Sequence, residues 1–275
     1  MSEVGIAVVV LCSVSAVCAA ILVIAARYMF VPVDETAEKI RACLPGANCG
    51  ACGYAGCDHY AAEIAAGNEE KTGKCVPGGE KAAAEIAALL GKEAEEVVSM
   101  VAVMHCQGDC HTASVKEEYK GISSCAGANL LFGGKKLCTF ACLGFGDCAT
   151  VCPQGAITIK DDLAHINASE CIGCGMCADI CPKGIISLLP DTVRTVEGCR
   201  NTLAGSHVRP ACKAGCIGCH KCEKECPTGA ITIKNNLSII DQHKCINCGH
   251  CTEVCPTKAI VEGDFTSLLT FRRVG

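Results

Sequence analysis

The sequence predicts an α+β protein made of several small domains on one chain. Three observations predict it: 28 of the 275 residues are cysteine, the cysteines occur in spaced groups, and one group pattern returns further along the chain. A cysteine content of about 10% indicates either a disulfide scaffold or metal sites. Disulfide scaffolds are usually short secreted chains, so the length and the spacing described next favour metal sites.

Two matching runs, at residues 216–227 and 245–256, carry the clearest pattern. In each run three cysteines are separated by two residues, and a fourth follows after three more and precedes a proline. This is the bacterial ferredoxin run, whose fourth cysteine ligates the other cluster of a pair. A structural zinc site is the alternative, but two matched copies favour iron. We expect one 4Fe–4S cluster on Cys216, Cys219, Cys222 and Cys255, and a second on Cys226, Cys245, Cys248 and Cys251.

The same arrangement occurs earlier in the chain. Shifting the sequence by 74 residues places Gly155–Lys160 on the identical Gly229–Lys234 and superimposes nine cysteines. This predicts two tandem bacterial-type double-cluster ferredoxin modules, at 135–190 and 195–265. In each, the Ala-Ile-Thr-Ile segment is expected to be a short strand. The aligned pairs are Cys125 with Cys199, Cys138 with Cys212, Cys142 with Cys216, Cys148 with Cys222, Cys152 with Cys226, Cys171 with Cys245, Cys174 with Cys248, Cys177 with Cys251, and Cys181 with Cys255.

The first module lacks one ligand of this pattern, because Phe145 stands where the second has Cys219. One of its clusters is complete, on Cys152, Cys171, Cys174 and Cys177. For the other, Cys138 is the nearest replacement, and we expect the set Cys138, Cys142, Cys148 and Cys181. A three-iron cluster, or a ligand from Cys125 or Cys106, are the alternatives.

A different cysteine group marks a domain at residues 34–95. Its spacing is C-x2-C-x4-C-x17-C, with glycines beside the thiols, which suits a loop folded closely around an inorganic cluster. Two helices are expected, at 58–66 and about 80–90, so this is predicted to be a small, mainly helical 4Fe–4S domain. Four cysteines alone do not distinguish iron from zinc. The expected ligands are Cys49, Cys52, Cys57 and Cys75.

Residues 96–134 are expected to connect this domain to the first ferredoxin module. The apolar segment 97–104 predicts a buried strand. The spacing assigns no role to several cysteines in and around these domains. They could bind an additional cluster or stabilise loops. They are Cys43, Cys106, Cys110, Cys125, Cys199 and Cys212.

The N-terminal region, residues 1–28, predicts a transmembrane anchor. Residues 4–26 are uncharged and mostly apolar, and at 1.5 Å per residue a helix of this length spans roughly 34 Å, enough for a bilayer core. A signal peptide is disfavoured because no positive charge precedes the run. Arg27, Lys39 and Arg41 follow it, so the positive-inside rule places residues 27–275 in the cytoplasm, where reduced thiols are available.

Other signals exclude several classes of protein. The net charge is −5 with no basic block, so nucleic acid is not an expected partner. No G-x-G-x-x-G follows a strand and no P-loop occurs, so no dinucleotide site is expected on this chain. The C-x-x-C-H haem motif at 216–220 uses two thiols that the ferredoxin run already claims.

The order of these parts resembles the B subunit of Rnf complexes. The resemblance lies in the N-terminal span, the segment at 44–75, the segment KKLCTFACLGFGDC at 135–148 and the ferredoxin repeats. The second ferredoxin module is typical of the longer, clostridial-like form. The resemblance implies an electron-transfer subunit of an ion-translocating ferredoxin:NAD⁺ oxidoreductase in the bacterial inner membrane. Reduced ferredoxin would be the donor, sister subunits would carry flavin and NAD sites, and Na⁺ or H⁺ would be transported.

Three other functions would also use such clusters. The segment 44–75 is similar to one in corrinoid iron–sulfur proteins and their activators, so a reductive activator of a corrinoid enzyme is one alternative. An anchored redox sensor and a free polyferredoxin are the other two. Integral membrane partners with covalent flavin would distinguish an Rnf subunit from these. Five clusters predict about 20 irons per chain, and about 24 would indicate a sixth site.

Overall fold

The computed structural model describes residues 3–28 and 34–263. Residues 1–2, 264 and 265 of the predicted domains lie outside this part of the chain. The helices are α1 (Glu3–Tyr28), α2 (Glu35–Cys43), α3 (Cys57–Ala65), α4 (Gly79–Leu90), α5 (Cys125–Leu131), α6 (Asp147–Thr150), α7 (Met176–Ile180), α8 (Gly205–Ala211), α9 (Lys221–Glu225) and α10 (His250–Val254), with a 3₁₀ turn at Val76–Gly78. The strands are β1 (Met100–Met104), β2 (Ile157–Lys160), β3 (Leu163–Ile166), β4 (Ile186–Pro190), β5 (Thr195–Glu197), β6 (Ile231–Lys234), β7 (Leu237–Ile240) and β8 (Ile260–Glu262).

The apolar N-terminal stretch is helical throughout α1. Large apolar side chains along it are exposed, among them Leu11, Val17 and Leu22. In the described ranges, no helix meets both the length and the hydropathy needed to cross a membrane. The structure therefore bears out the helix but not the predicted span.

The next domain is mainly helical, as predicted. The apolar faces of α2, α3 and α4 meet around Ile40, Tyr60, Ile64 and Ile86, all nearly inaccessible to solvent. Asp34 caps α2 by accepting a hydrogen bond from the backbone N–H of Thr36, which satisfies a donor that the helix itself leaves unpaired. The two helices expected here are confirmed as α3 and α4.

Each ferredoxin-like unit has an inner hairpin and an outer strand pair. The hairpins β2–β3 and β6–β7 are antiparallel and share one register, with Ile157 opposite Ile166 and Ile231 opposite Ile240. The outer pairs are β1 with β4 and β5 with β8, also antiparallel. The strands predicted from the Ala-Ile-Thr-Ile segments are confirmed as β2 and β6.

The outer pairs correct the alignment of the two modules. The predicted strand at 97–104 is confirmed as β1, but it pairs with β4 and so completes the first module rather than connecting to it. Met104 lies opposite Ile186, as Glu197 lies opposite Ile260. Cys106, two residues after β1, is therefore the structural counterpart of Cys199, two residues after β5. The expected pairing of Cys125 with Cys199 is wrong because the first module carries a longer insertion after its first strand.

Strand β1 also joins the two modules. Because side chains alternate across a strand, Ala102 and Met104 pack into the core of the first module, while Val101 and Val103 pack against valines of the second. The buried ring of His105 continues this link, with Nδ1 2.7 Å from the carbonyl oxygen of Glu197 and Nε2 2.5 Å from Oγ of Ser187. The outer sheets of the modules are thus packed back to back.

Candidate iron–sulfur centres

The four cysteines expected as ligands in the helical domain lie near one another. Cys57 begins α3, and its backbone N–H donates to Oδ1 of Asn48 at 2.8 Å. Cys75 immediately precedes the 3₁₀ turn at Val76–Gly78. Burial raises the pKa of Cys75 to about 11, and the nearby thiols of Cys57, Cys52 and Cys49 raise it further. The thiol of Cys75 is therefore within electrostatic reach of the other three.

The complete cluster site of the first module is a mainly apolar cavity of about 20 Å³. Burial raises the pKa of Cys177 to about 12, and the neighbouring thiols add to the rise. The loop turns tightly at Gly173, whose φ is +65° and where a Cβ would collide with the carbonyl oxygen of Met100. All four expected cysteines line this cavity: Cys152, Cys171, Cys174 and Cys177.

The other cavity of the first module, also of about 20 Å³, does not contain the expected set. Burial raises the pKa of Cys148 to about 12, and the thiols of Cys142, Cys125 and Cys181 are the closest contributors after burial. Cys138 does not line this cavity. It lies instead around a different cavity, with Cys106, Cys199 and Cys212. The cysteines of the first-module cavity are Cys125, Cys142, Cys148 and Cys181.

Cys125 reaches this position through the inserted helix α5. Ser124 caps the helix by accepting the N–H of Gly127, and the carboxylate of Asp147 accepts the N–H groups of Cys125 (2.8 Å) and Ala126 (3.1 Å). Asp147 immediately precedes Cys148, so the same residue positions one thiol and adjoins another. In the sequence, the serine before Cys125 indicates the start of a helix there. The distance along the chain from Cys125 to Cys142 matches no known spacing of cluster ligands, so the spacing does not identify Cys125 as a ligand.

Phe145, which replaces the missing cysteine, has a structural role. Its ring meets Tyr119 edge-on at 5.5 Å between centroids, and Tyr119 stacks on Phe132 at 6.0 Å. These rings fasten the insertion to the loop that carries Cys142 and Cys148. An aromatic contact thus stands where the second module has Cys219 in the aligned sequence.

The second module brings together both of its predicted groups. Burial raises the pKa of Cys222 to about 11, with Cys216, Cys255 and Cys219 adding to it as neighbours. Burial likewise raises the pKa of Cys251 to about 12, and its neighbours include Cys245 and Cys248. Cys226 packs against the same apolar cluster as Cys251.

The donor set fits iron–sulfur clusters. All 28 cysteines are free thiols, with no disulfide pairs among them, and those of the two first-module sets line small apolar cavities. Burial disfavours the thiolate, which is the form that binds metal, so bound iron would supply the positive charge that these sites lack. Backbone N–H groups point at sulfur, as from Ala102 to Cys171 at 3.4 Å, an arrangement that tunes cluster potentials.

A buried lysine adds charge beside these thiols. Lys136 is 3% exposed, and its Nζ donates to the carbonyl oxygens of Cys142 (2.9 Å) and Asp162 (2.7 Å). Burial raises the pKa of Cys142 to about 11, and the ammonium group of Lys136 partly offsets that rise. No pattern in the sequence singles out this lysine.

Family models match three parts of the chain. Residues 44–77 match a family named FeS, for an Fe-S cluster. Residues 138–185 and 215–260 each match a 4Fe-4S dicluster domain. These segments contain the cysteine groups described above, except for Cys106, Cys125, Cys199 and Cys212.

Relatives cover most of the chain. It is 41% identical over 224 residues to the B subunit of the Na(+)-translocating ferredoxin:NAD(+) oxidoreductase complex of Acetobacterium woodii, covering 81% of this chain and 67% of the relative. It is 43% identical over 211 residues to the B subunit of the proton-translocating ferredoxin:NAD(+) oxidoreductase complex of Clostridium ljungdahlii, covering 76% and 74%. The B subunit of the ion-translocating oxidoreductase complex of Methanosarcina acetivorans is 37% identical, covering 81% and 84%. The chain therefore belongs to the B-subunit family of the Rnf ion-translocating ferredoxin:NAD⁺ oxidoreductases.

Proposed function

We propose that the chain is the electron-transfer subunit of an ion-translocating ferredoxin:NAD⁺ oxidoreductase. It takes electrons from reduced ferredoxin and delivers them to membrane-bound sister subunits that carry the flavin and NAD sites. A 4Fe–4S cluster, when bound, accepts and releases one electron without an organic substrate. The observation that carries the proposal is that the cysteine groups follow one another closely through the molecule.

We assign five ligand sets. In the first module Cys125 takes the place expected for Cys138, because it lines the cavity with the other three cysteines and Cys138 does not. The remaining sets are those the sequence predicts. They are Cys49, Cys52, Cys57 and Cys75; Cys152, Cys171, Cys174 and Cys177; Cys125, Cys142, Cys148 and Cys181; Cys216, Cys219, Cys222 and Cys255; and Cys226, Cys245, Cys248 and Cys251.

The succession of sets is supported by electrostatic interactions between thiols of neighbouring sets. Cys49 of the helical domain is among the thiols that raise the pKa of Cys174, after burial. Cys177 does the same for Cys148 within the first module, and Cys222 does so for Cys251 within the second. Adjacent sets are therefore near one another, as electron transfer between them requires.

We further propose that α1 anchors the chain in the bilayer as a single span, with the cysteine domains on the cytoplasmic side of a bacterial inner membrane. The exposed apolar side chains of α1, including Leu11, Leu22 and Val23, support this, because exposure of so many in water is unfavourable. Arg27 at the end of the helix is the cationic flank expected on the cytoplasmic side.

The proposed function is tested with the full-length chain prepared anaerobically. Stoichiometric reduced ferredoxin is mixed with it, and the bleaching of the visible cluster absorption is followed by stopped flow. We expect bleaching to the extent that dithionite produces. Bleaching by dithionite but not by reduced ferredoxin contradicts the proposed donor.

The proposed membrane anchor is tested separately. A chain lacking residues 4–26 should be washed from vesicles by alkaline carbonate, while the full chain is retained.

The assignment of Cys125 is tested with Cys125→Ala and Cys138→Ala. If Cys125 is the ligand, its loss leaves three cysteines at that cavity, and oxidised samples should show the EPR signal of a three-iron cluster. Cys110→Ala is the matched control, because Cys110 is exposed and lines none of the cavities described. A three-iron signal in Cys138→Ala with a normal Cys125→Ala would restore the original expectation.

A further inference from the structure

Four cysteines outside the five sets surround one cavity between the modules. The cavity has a volume of about 20 Å³ and lies among the residues that follow β1 and β5. The first module contributes two of the thiols and the second module the other two. They are Cys106, Cys138, Cys199 and Cys212.

The four thiols are close to one another. The buried side chain of Asn201 links two of them, donating from Nδ2 to Sγ of Cys138 and from its backbone N–H to Sγ of Cys199, both at 3.4 Å. On the other side, a Cβ placed on Gly108 would lie 3.5 Å from Sγ of Cys106 and 3.8 Å from Sγ of Cys212. The sulfur atoms therefore face one shared space.

The two halves of this site are equivalent in structure. Cys106 and Cys199 each follow the first strand of their module by two residues. Cys106 accepts the N–H of Gly108, two residues on, and that of Cys142, both at 3.4 Å. Cys199 accepts the N–H of Asn201, also two residues on, and that of Cys216, the counterpart of Cys142. Such a match means that both modules build the same half-site.

The second pair of thiols matches as well. Cys138 precedes Cys142 by four residues, and Cys212 precedes Cys216 by four. The backbone of Ser114, on the inserted segment, holds these two stretches side by side. Its N–H donates to the carbonyl oxygen of Ala211 at 3.0 Å, and its carbonyl oxygen accepts the N–H of Leu137 at 2.7 Å. The insertion thus aligns Cys138 with Cys212 across the junction.

The spacing of the thiols and the charge beside them suit a cluster rather than a single ion. The cavity has the same volume as the two first-module cavities, about 20 Å³. Among the described residues, the only group of three or more His, Cys, Asp or Glu side chains whose ligand atoms lie within 4.8 Å of one another is Cys110, His111 and Asp161, so the four thiols are too far apart to surround one zinc ion. Arg200 lines the cavity, and its Nε is a buried donor with no hydrogen-bond partner among the described residues. An anionic group in the cavity would satisfy it.

We propose that Cys106, Cys138, Cys199 and Cys212 bind a sixth 4Fe–4S cluster, shared equally by the two ferredoxin modules. The site lies beside the Cys142 set through Cys106 and beside the Cys216 set through Cys199. The site lies between the cluster sites of the first module and those of the second, where none of the other five sets is located. The proposal deepens the proposed function, because it makes the two modules one continuous conductor.

Iron counting on the full-length chain, prepared anaerobically, tests the proposal. The wild type should hold about 24 irons, and Cys199→Ala, which leaves three ligands and a three-iron cluster, about 23. The double variant Cys138→Ala/Cys199→Ala should hold about 20, since two remaining cysteines do not retain the cluster, whereas Cys138→Ala/Cys177→Ala removes one ligand from each of two clusters and should hold about 22. Cys110→Ala is the control and should match the wild type.

Three results would overturn the shared site. One is a wild type with about 20 irons, and another is the same count together with one zinc per chain. The third is additive loss in Cys138→Ala/Cys199→Ala. The iron count of the wild type by itself decides whether a sixth cluster is present, even if a variant fails to fold. Reduction by ferredoxin is measured on the same sample, so a chain with about 20 irons that still bleaches refutes the sixth cluster and leaves the proposed function standing.

Discussion

At the residue scale, Lys136 places a full positive charge inside the protein. Its ammonium group donates to the carbonyl oxygens of Cys142 and Asp162, and it forms no ion pair with a carboxylate within the described part of the chain. A buried cation is costly unless something nearby is negative. Thiolate-bound clusters at the sites proposed on both sides of Lys136 would provide that negative charge and would explain why this lysine is tolerated.

Replacing Lys136 should therefore change a reduction potential. Lys136→Met removes a charge that favours the reduced, more negative state, so the Cys142 cluster should become harder to reduce by up to about 59 mV, a tenfold change in a one-electron equilibrium. An EPR-monitored redox titration measures the shift. Lys136→Arg keeps the charge and should restore most of the potential. Lys135→Met removes a partly exposed ion pair with Asp162 and should leave the potential near that of the wild type.

Glu69 is a second buried charge, and its role is structural. Its carboxylate accepts hydrogen bonds from the ammonium group of Lys74, from Tyr54 Oη at 2.7 Å and from the N–H of Lys71 at 3.0 Å. The Lys74 bond, followed by those of Tyr54 and Lys71, lowers the pKa of Glu69 to about 2. These bonds hold the loop that ends at Cys75.

A lowered pKa gives stability above the ordinary carboxyl pKa of 4.5, and that stability is lost as the pH falls toward 2. Glu69→Gln should therefore lower the melting temperature equally from pH 8 to pH 5, and the gap from the wild type should shrink below pH 4.5. Thermal unfolding followed by circular dichroism under anaerobic conditions measures this difference in melting temperature at each pH. Glu70→Gln, on the exposed neighbour, should show no gap. A gap that persists unchanged at pH 3 contradicts this role.

At the scale of elements, α5 shows how a short helix can deliver a ligand. It has only one and a half to two turns, too short to be stable alone. Its first N–H groups are satisfied by Ser124 and by the carboxylate of Asp147. The position of Cys125 therefore depends on a residue that is distant in sequence but adjacent to Cys148.

We predict that Asp147→Ala weakens both the helix and the cluster site beside it. Loss of a helix-capping carboxylate costs about 1 kcal/mol, and here it also frees the loop bearing Cys125. The Cys142 cluster should lose one iron faster in air, which the growth of a three-iron EPR signal measures. Asp179→Ala, on exposed Asp179 in the first turn of α7, is the control. Equal decay in both variants would show that Asp147 does not position Cys125.

At the scale of the whole molecule, the clusters take the place of a conventional core. Aromatic residues are 4% of the chain, and the apolar clusters of the ferredoxin modules consist largely of cysteines and small aliphatic residues. The helical domain differs, because Ile40, Tyr60, Ile64 and Ile86 pack together as an ordinary core. Its stability should depend less on iron.

Removing the iron should therefore unfold the chain unevenly. After oxidative chelation we expect the amide hydrogens of β2, β3, β6 and β7 to exchange freely, while those of α2, α3 and α4 keep part of their protection. Hydrogen exchange with mass spectrometry measures this by segment. Retained protection in both hairpins would mean that the modules fold without metal.

Much of this organisation can be derived from local patterns. Matched C-x2-C-x2-C-x3-C-P runs predict the ligand sets of the second module and the complete set of the first, because a cluster needs its ligands at short, fixed intervals along a loop. Apolar periodicity likewise predicts α1, α3, α4 and β1. The relatives confirm the resemblance to the B subunits of Rnf complexes.

Two features were decided by tertiary structure alone. Cys125, rather than Cys138, lines the first-module cavity because an inserted helix, capped by Asp147, brings it there, and no spacing rule describes such an insertion. The shared cavity is formed by strand ends of two modules that pack back to back, and the sequence offset of 74 residues aligned Cys199 with the wrong partner. Short-range ligand geometry is encoded locally, whereas ligands that meet across an interface depend on how the modules pack.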